Sequence, residues 1–336
     1  MQEKRGVGLA LSGGGSRAIA FHYGVIEAFY DLGIANKIDV VSAISGGAII
    51  GAIFNLYAKD RSKFREKVEE VLSEGLEASL YSKLLDPRWL LHQGIHPDAL
   101  ADILDKKIFD GVLLNAIPDD PILILNATDL KMGCNFKFGK SICGSYKDGG
   151  YIVPNLRLSQ AVAYSAAFTL CISVKKLKLN KENDVYLTDG GVYDALGANS
   201  LMPDKNDQSI LTQNCETVIL SDASFPYQEN PQGLSFFAKS RLESSFHCSG
   251  NRNRSLIYNK VFLLHESGDI PHLGTIKMDS KHDDLTQGWT PNDLSFVNRY
   301  RTDFKPVQKK AIELIKTRGR EEAEVIVKQY LPHLLS

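Results

Sequence analysis

The chain has 336 residues, 43% of them hydrophobic, which suffices for a sizeable core and for one large α/β domain or two modest ones. Its 39 Lys and Arg against 40 Asp and Glu leave a net charge of -1, with no global pull towards nucleic acid or an anionic membrane. The five cysteines, Cys134, Cys143, Cys171, Cys215 and Cys248, include no Cys-x-x-Cys pair, so neither a zinc site nor a disulfide framework is indicated and reduced thiols in a cytoplasmic protein are expected.

The N-terminal apolar run is short and ends in glycines, unlike a signal peptide, and no stretch approaches the ~20 apolar residues of a membrane span. Residues 6–11 (GVGLAL) read as a buried strand that breaks at Gly13, Gly14 and Gly15. A helix is predicted from about 18 to 32, with Phe21, Val25, Ala28 and Leu32 on one face and Gly33 at its C-cap. A short strand at 38–41 leads into the tight turn SAISGG. The following AIIGAIFNLYA is apolar all round, as only a buried helix is. From residue 60 to about 85, Phe64, Val68, Leu72 and Leu76 mark one face of an amphipathic helix. Strands are predicted at 122–127, 172–179, 184–188, 217–222 and 260–265, with a hairpin over 136–152 and a helix over 157–167. A polar helix from about 233 to 256 and two helices after about 302 complete the reading. This alternation predicts a mainly parallel central sheet in a three-layer α/β/α arrangement. Residues 1–205 would form the core and 206–336 would complete the sheet, in one structural domain.

A strand that ends in SGGGSR and opens a helix presents backbone N–H groups at the positive helix end, which suits a phosphate or an oxyanion. No Lys-Ser or Lys-Thr follows, so a P-loop is excluded. A dinucleotide-binding turn fits with Ala18 as third small residue and Asp39 as the distal acid. A structural turn, a dinucleotide site and an oxyanion hole all remain open from this loop alone. The second turn, Ala43-Ile44-Ser45-Gly46-Gly47 between a strand and a buried helix, has the small-x-Ser-x-small frame of a nucleophile elbow, with Ala43 in place of glycine. Ser45 would stand at a helix N-terminus whose dipole favours developing negative charge. A simple helix-capping serine is the competing reading, and Ser12 and Ser42 lack the frame.

A serine nucleophile needs a base. His247, His265, His272, His282 and His333 occupy unremarkable contexts, and too few strands precede Ser45 for an α/β-hydrolase. Asp189 is better placed: it ends the predicted strand, and Gly190 and Gly191 turn the chain so that a carboxylate projects beside the sheet. In a dry site a carboxylate takes a serine proton directly.

In order and spacing, Gly13-Gly14-Gly15-Ser16-Arg17, the segment around Ser45 and Asp189-Gly190-Gly191 resemble the three signatures of patatin-like phospholipases. NATDLKMG (126–133), LSQAVAYSAAF (158–168) and LTDGGVYDALGANSL agree with that family, and the resemblance covers roughly residues 6–200. VILSDAS and RYRTDF look like features of a bacterial subgroup. The resemblance implies a Ser-Asp dyad and a fold related to cytosolic phospholipase A2. Ser45 would attack an ester carbonyl and Asp189 would act as base. The amides of Gly13 to Gly15, helped by Gly46, would hold the oxyanion. Arg17 would steady the loop or meet a lipid phosphate, an ion pair being the alternative. Thr169 stands where the family has proline.

The segment 84–91 (LLDPRWLL), bounded by Leu84 and Leu91, is the candidate lid or membrane-surface patch, against a core-packing alternative. Asp119-Asp120 and the HDD at 282–284 read as solvated loops, so a metal-independent hydrolase without cofactor is expected, acting on lipid or phospholipid and not on nucleic acid. Location in the cytoplasm, peripherally at a membrane where lipid is met, is the matching expectation. A nucleotide-binding α/β protein and a non-catalytic lipid-binding relative are the rival readings.

Overall fold

The computed structural model describes residues 5–77, 96–168, 172–180, 183–203, 211–224, 238–280 and 289–336. The segment 84–91, Thr169 and the HDD at 282–284 lie outside the described residues. The strands are β1 (Arg5–Leu11), β2 (Ile38–Ala43), β3 (Ile122–Asp129), β4 (Cys134–Phe138), β5 (Cys143–Ser145), β6 (Gly149–Tyr151), β7 (Lys175–Lys178), β8 (Asp184–Asp189), β9 (Cys215–Asp222) and β10 (His272–Lys277). The helices are α1 (Gly15–Asp31), α2 (Ser45–Tyr57), α3 (Arg61–Glu74), α4 (Pro97–Leu104), α5 (Leu158–Ser165), α6 (Ala238–Glu266), α7 (Pro291–Asn298) and α8 (Lys309–Tyr330).

All the strands join one mixed sheet. Its parallel part runs in the order β10-β9-β1-β2-β3, and β4, β5 and β6 continue it antiparallel. Because side chains alternate along a strand, Leu9, Leu11, Val41 and Ala43 enter one apolar layer with α1, α2, α3 and α8. Ala10, Val40, Ile124, Val218 and Leu220 enter the opposite layer, against Ile257, Tyr258 and Val261 of α6. The fold is therefore a three-layer α/β/α sandwich. With both faces covered, the central strands read as unbroken apolar runs such as VIL (218–220) in β9.

Two readings of the C-terminal half are corrected. Residues 260–265 (KVFLLH) are the end of α6 and not a strand. Ile257, Val261 and Leu264 pack inward at helical spacing while Phe262 and Leu263 face outward, a pattern that a short apolar run does not reveal. The edge strand is instead β10, whose alternation of buried Leu273 and Ile276 with polar residues is weak. After residue 302 one long helix, α8, and a single 3-10 turn (Pro332–Leu334) close the chain, while α7 precedes that point. The 136–152 hairpin is three short strands.

Candidate active site

The site forms where two strands meet end to end along one edge of β3. β2 pairs with β3 up to Ala43 opposite Leu125. β8, running antiparallel, takes the same strand at Ala127, opposite Asp189. Only Asn126 separates the two pairings, so the turn that follows β2 and the carboxylate that ends β8 converge above it. Asp189 thus reaches the site from an antiparallel strand, whereas Ser45 leaves a parallel one.

The turn after β2 is strained. Ser45 has φ 53°, a left-handed conformation uncommon for a residue with a side chain, and it opens α2. Its N–H donates to Ser165 Oγ at 3.1 Å, and Ser165 in turn donates to the Asn126 carbonyl at 2.6 Å. Below the turn, the Asn126 side-chain amide donates to Ser42 Oγ (2.9 Å) and to the Ala43 carbonyl (3.3 Å). Asn135 and Ser200 donate to the Asn126 side-chain oxygen. Both polar ends of the Asn126 side chain are thereby satisfied beneath the half-exposed Ser45. Gly46 is required by close approach, because a Cβ there would lie 2.5 Å from the Gly15 carbonyl. Gly47 packs beneath the carbonyls of Leu11 and Ser12.

The glycine loop lies directly opposite. A side-chain carbon on Gly13 would meet Ser45 Cβ at 3.1 Å and its Oγ at 3.6 Å. Gly15 has φ 60° and faces the Asp303 carbonyl so closely that no Cβ fits. No hydrogen bond among the described residues uses the N–H groups of Gly13, Gly14, Gly15 or Gly46, whereas Ser16 N–H donates to Asp303. These free donors sit where two helices begin, α1 and α2, so both dipoles reinforce them.

Arg17 is buried, 2% exposed, and its guanidinium donates to the carbonyls of Ala223 (3.1 Å) and Tyr300 (3.0 Å). Burial pushes its pKa down to about 9, opposed by the charge of Asp222. It ties the loop to the chain after β9 and to residues 299–304, the RYRTDF segment, which covers the loop. His22 lies under the same loop, bonded to the Ser12 carbonyl (2.9 Å) and Ser221 Oγ (2.7 Å). Burial pushes its pKa to about 4, so it is a neutral strut donating from Nε2 and accepting from Ser221.

Asp189 is 6% exposed. Its Oδ1 accepts the Gly191 N–H at 2.8 Å, and Gly190 packs against the Asn126 carbonyl. Burial raises the carboxyl to about 6, and hydrogen bonds from the Gly191 amide and the Ser45 hydroxyl only partly oppose this. No cation is among its influences. Among the described histidines, none bonds to Ser45 or Asp189: His265 bonds to the Ile270 carbonyl and His333 to Thr217, stacked on His272. The hydroxyl of a half-exposed serine, a desolvated carboxylate and free amides meet at one point.

The model of the patatin-like phospholipase family matches residues 9–202, more than half of the chain. The chain belongs to the patatin-like phospholipase family. Human GIVD cytosolic phospholipase A2 is similar in structure, with a TM-score of 0.61 and 13% identity over 98% of this chain and 60% of that one. VipD from Legionella pneumophila has a TM-score of 0.50 and 12% identity over 98% of this chain and 67% of that one. At such identities the likeness is one of fold, and this patatin-like chain spans 60% of the human protein's length. Comparison with curated proteins gives no match. No described helix of this patatin-like chain is long and apolar enough to cross a membrane.

Ser165, Asn126 and His22 are the site neighbours that the sequence did not mark. Ser165 falls in the helix LSQAVAYSAAF and Asn126 opens NATDLKMG, both noted only as family-like segments. Nothing local in a serine or an asparagine on a buried element announces a partner 39 or 120 positions away.

Proposed function

We propose that this patatin-like chain is a lipid acyl ester hydrolase working through a Ser45–Asp189 dyad. The observation that carries the reading is the apposition of the hydroxyl of half-exposed Ser45 with a buried carboxylate whose pKa is raised to about 6, with no cation to quench it. Such a carboxylate is a stronger base than one in water and is still ionised at neutral pH. Ser45 Oγ attacks the ester carbonyl carbon while its proton passes to Asp189. The tetrahedral oxyanion is held by the free N–H groups of Gly13 to Gly15 and Gly46. Collapse breaks the carbonyl–alkoxy bond, and the departing alcohol takes the proton from Asp189. Water then attacks the acyl-enzyme, gives its proton to Asp189, and Ser45 is regenerated as the free acid leaves.

Lipid as substrate rests on family membership and on the fold shared with human GIVD cytosolic phospholipase A2, which is known in complex with methyl gamma-linolenyl fluorophosphonate. Arg17, sequestered by two carbonyls, serves the loop and does not meet a headgroup. The test is labelling of the purified chain with a fluorophosphonate probe. Stoichiometric labelling of the native chain, lost in Ser45→Ala and slowed in Asp189→Asn, is expected. Labelling that persists in Ser45→Ala sinks the assignment. Tight ATP or NAD binding without labelling would transfer the glycine loop to a nucleotide.

A further inference from the structure

Away from the serine, folding brings together three groups that the sequence scatters. Asp129 ends β3 and pairs in register with Cys134, which opens β4, and Asp148 lies in the turn between β5 and β6. One carboxylate oxygen of each aspartate and the Cys134 sulfur lie within 4.8 Å of one another. Asp129 and Cys134 are fully buried and Asp148 is half-buried. The Asp129 Oδ1 atom is already engaged, accepting the N–H groups of Lys131 and Tyr186, both at 3.0 Å. Its Oδ2 atom is buried and has no hydrogen-bond partner among the described residues. A carboxylate oxygen withdrawn from water demands a donor or a cation, and a bare acceptor in a corner shared with a thiol and a second carboxylate is unfavourable.

We propose that this corner is a binding site for a thiophilic divalent cation of the Zn²⁺ type, ligated by Asp129 Oδ2, Cys134 Sγ and the Asp148 carboxylate. The donor set selects the ion. Ca²⁺ and Mg²⁺ take oxygen ligands alone, whereas a thiolate beside carboxylates suits Zn²⁺. Three protein ligands leave the fourth tetrahedral place to water. The Ser145 hydroxyl donates to Asp148 Oδ2 at 2.9 Å and orients that ligand, the usual task of an outer partner. On binding, the Cys134 S–H bond gives way to an S–Zn bond and the proton leaves to solvent. The ion would fasten the β3–β4 turn to the β5–β6 turn. Through the Asp129–Tyr186 hydrogen bond it would also brace β8, three residues before Asp189. It takes no part in the serine chemistry, and its existence does not depend on that reading.

The test uses the full chain, stripped of metal by a chelator and titrated with Co²⁺ and then Zn²⁺. Expected are one equivalent of Co²⁺ with a thiolate-to-cobalt charge-transfer band, its displacement by Zn²⁺, and a higher unfolding temperature of the loaded protein. Cys134→Ser should remove the band. Asp148→Asn, at a half-buried turn position that leaves the fold intact by circular dichroism, should weaken Zn²⁺ by more than about a hundredfold in calorimetry, since even outer-shell partners are worth roughly ten- to a hundredfold. A stripped chain that takes up neither ion overturns the proposal. So does binding without the thiolate band, or binding unchanged in Asp148→Asn.

Discussion

Asp189 and Asp222 end neighbouring regions of one sheet, and both are buried, yet their surroundings are opposite. Asp222 Oδ2 accepts Arg254 Nε at 2.5 Å and the Tyr258 hydroxyl at 2.9 Å, and its Oδ1 accepts the Ser224 N–H at 2.9 Å. Burial alone would raise its carboxyl, but the Arg254 charge and these donors hold it below the usual carboxylate range. Asp189 has one amide and one hydroxyl, and burial wins. The supply of partners, more than depth, decides whether a buried carboxylate is an anchor or a base. Asp222 is the anchor. Through Ala223, whose N–H donates to Ser12 Oγ and whose carbonyl receives Arg17, it fixes the glycine loop from behind.

Exchanging each carboxylate for its amide should separate the two roles. For Asp189→Asn, kcat/KM on a short p-nitrophenyl ester should fall about 10²–10⁴-fold, the span a positioned base is worth, with the fold retained. Native turnover in that variant would remove Asp189 from the chemistry and split the comparison at its root. Asp222→Asn should instead unfold at lower denaturant, losing about 3 kcal/mol. This is the low end for a broken buried pair, because Asp279 still faces Arg254 at 3.3 Å. Its folded fraction should turn over within about tenfold of the native rate. Between these lies Ser165→Ala, which strands the Ser45 N–H: a loss of about 1–3 kcal/mol is expected. In that variant kcat should fall and KM stay unchanged, because the elbow shifts while substrate contacts remain.

The same contrast explains what the sequence could tell. The glycine loop, the small-x-Ser-x-small turn and Asp-Gly-Gly are legible because each is a local backbone demand: Gly15 at positive φ, Gly46 against a carbonyl, and Ser45 itself in a left-handed turn. The alternation of the first strands with helices is legible for a similar reason, whereas their order in the sheet, with β9 beside β1, is not. Asp222 and Arg254 are not, because an acid at a strand end and an arginine in a polar helix acquire meaning only when α6 packs across β9. The same distance hid Ser165 and Asn126. The apolar run at 260–265 was misleading because six residues fit a strand or a helix face equally well, and only the packing of Val261 beside Ile257 decides.

A pH-dependent effect tests the electrostatics alone. Asp189 titrates at about 6 in the folded chain against an ordinary 3.8, so the folded state holds that proton more tightly than the unfolded state. The stability this provides is complete below pH 3.8 and is lost as pH rises through about 6. At pH 8 the ionised carboxylate then leaves the native state less stable by up to about 3 kcal/mol relative to acid conditions, at about 1.4 kcal/mol per pK unit. Asp189→Asn keeps an oxygen for the Gly191 N–H and carries no charge. Its unfolding midpoint should therefore match or trail the native chain at pH 4 and exceed it at pH 8, while native kcat/KM rises with pH along a limb centred near 6. Parallel stability curves for the two proteins across that range would mean that Asp189 is as well solvated as an ordinary carboxylate, and the distinction from Asp222 would reduce to one of position.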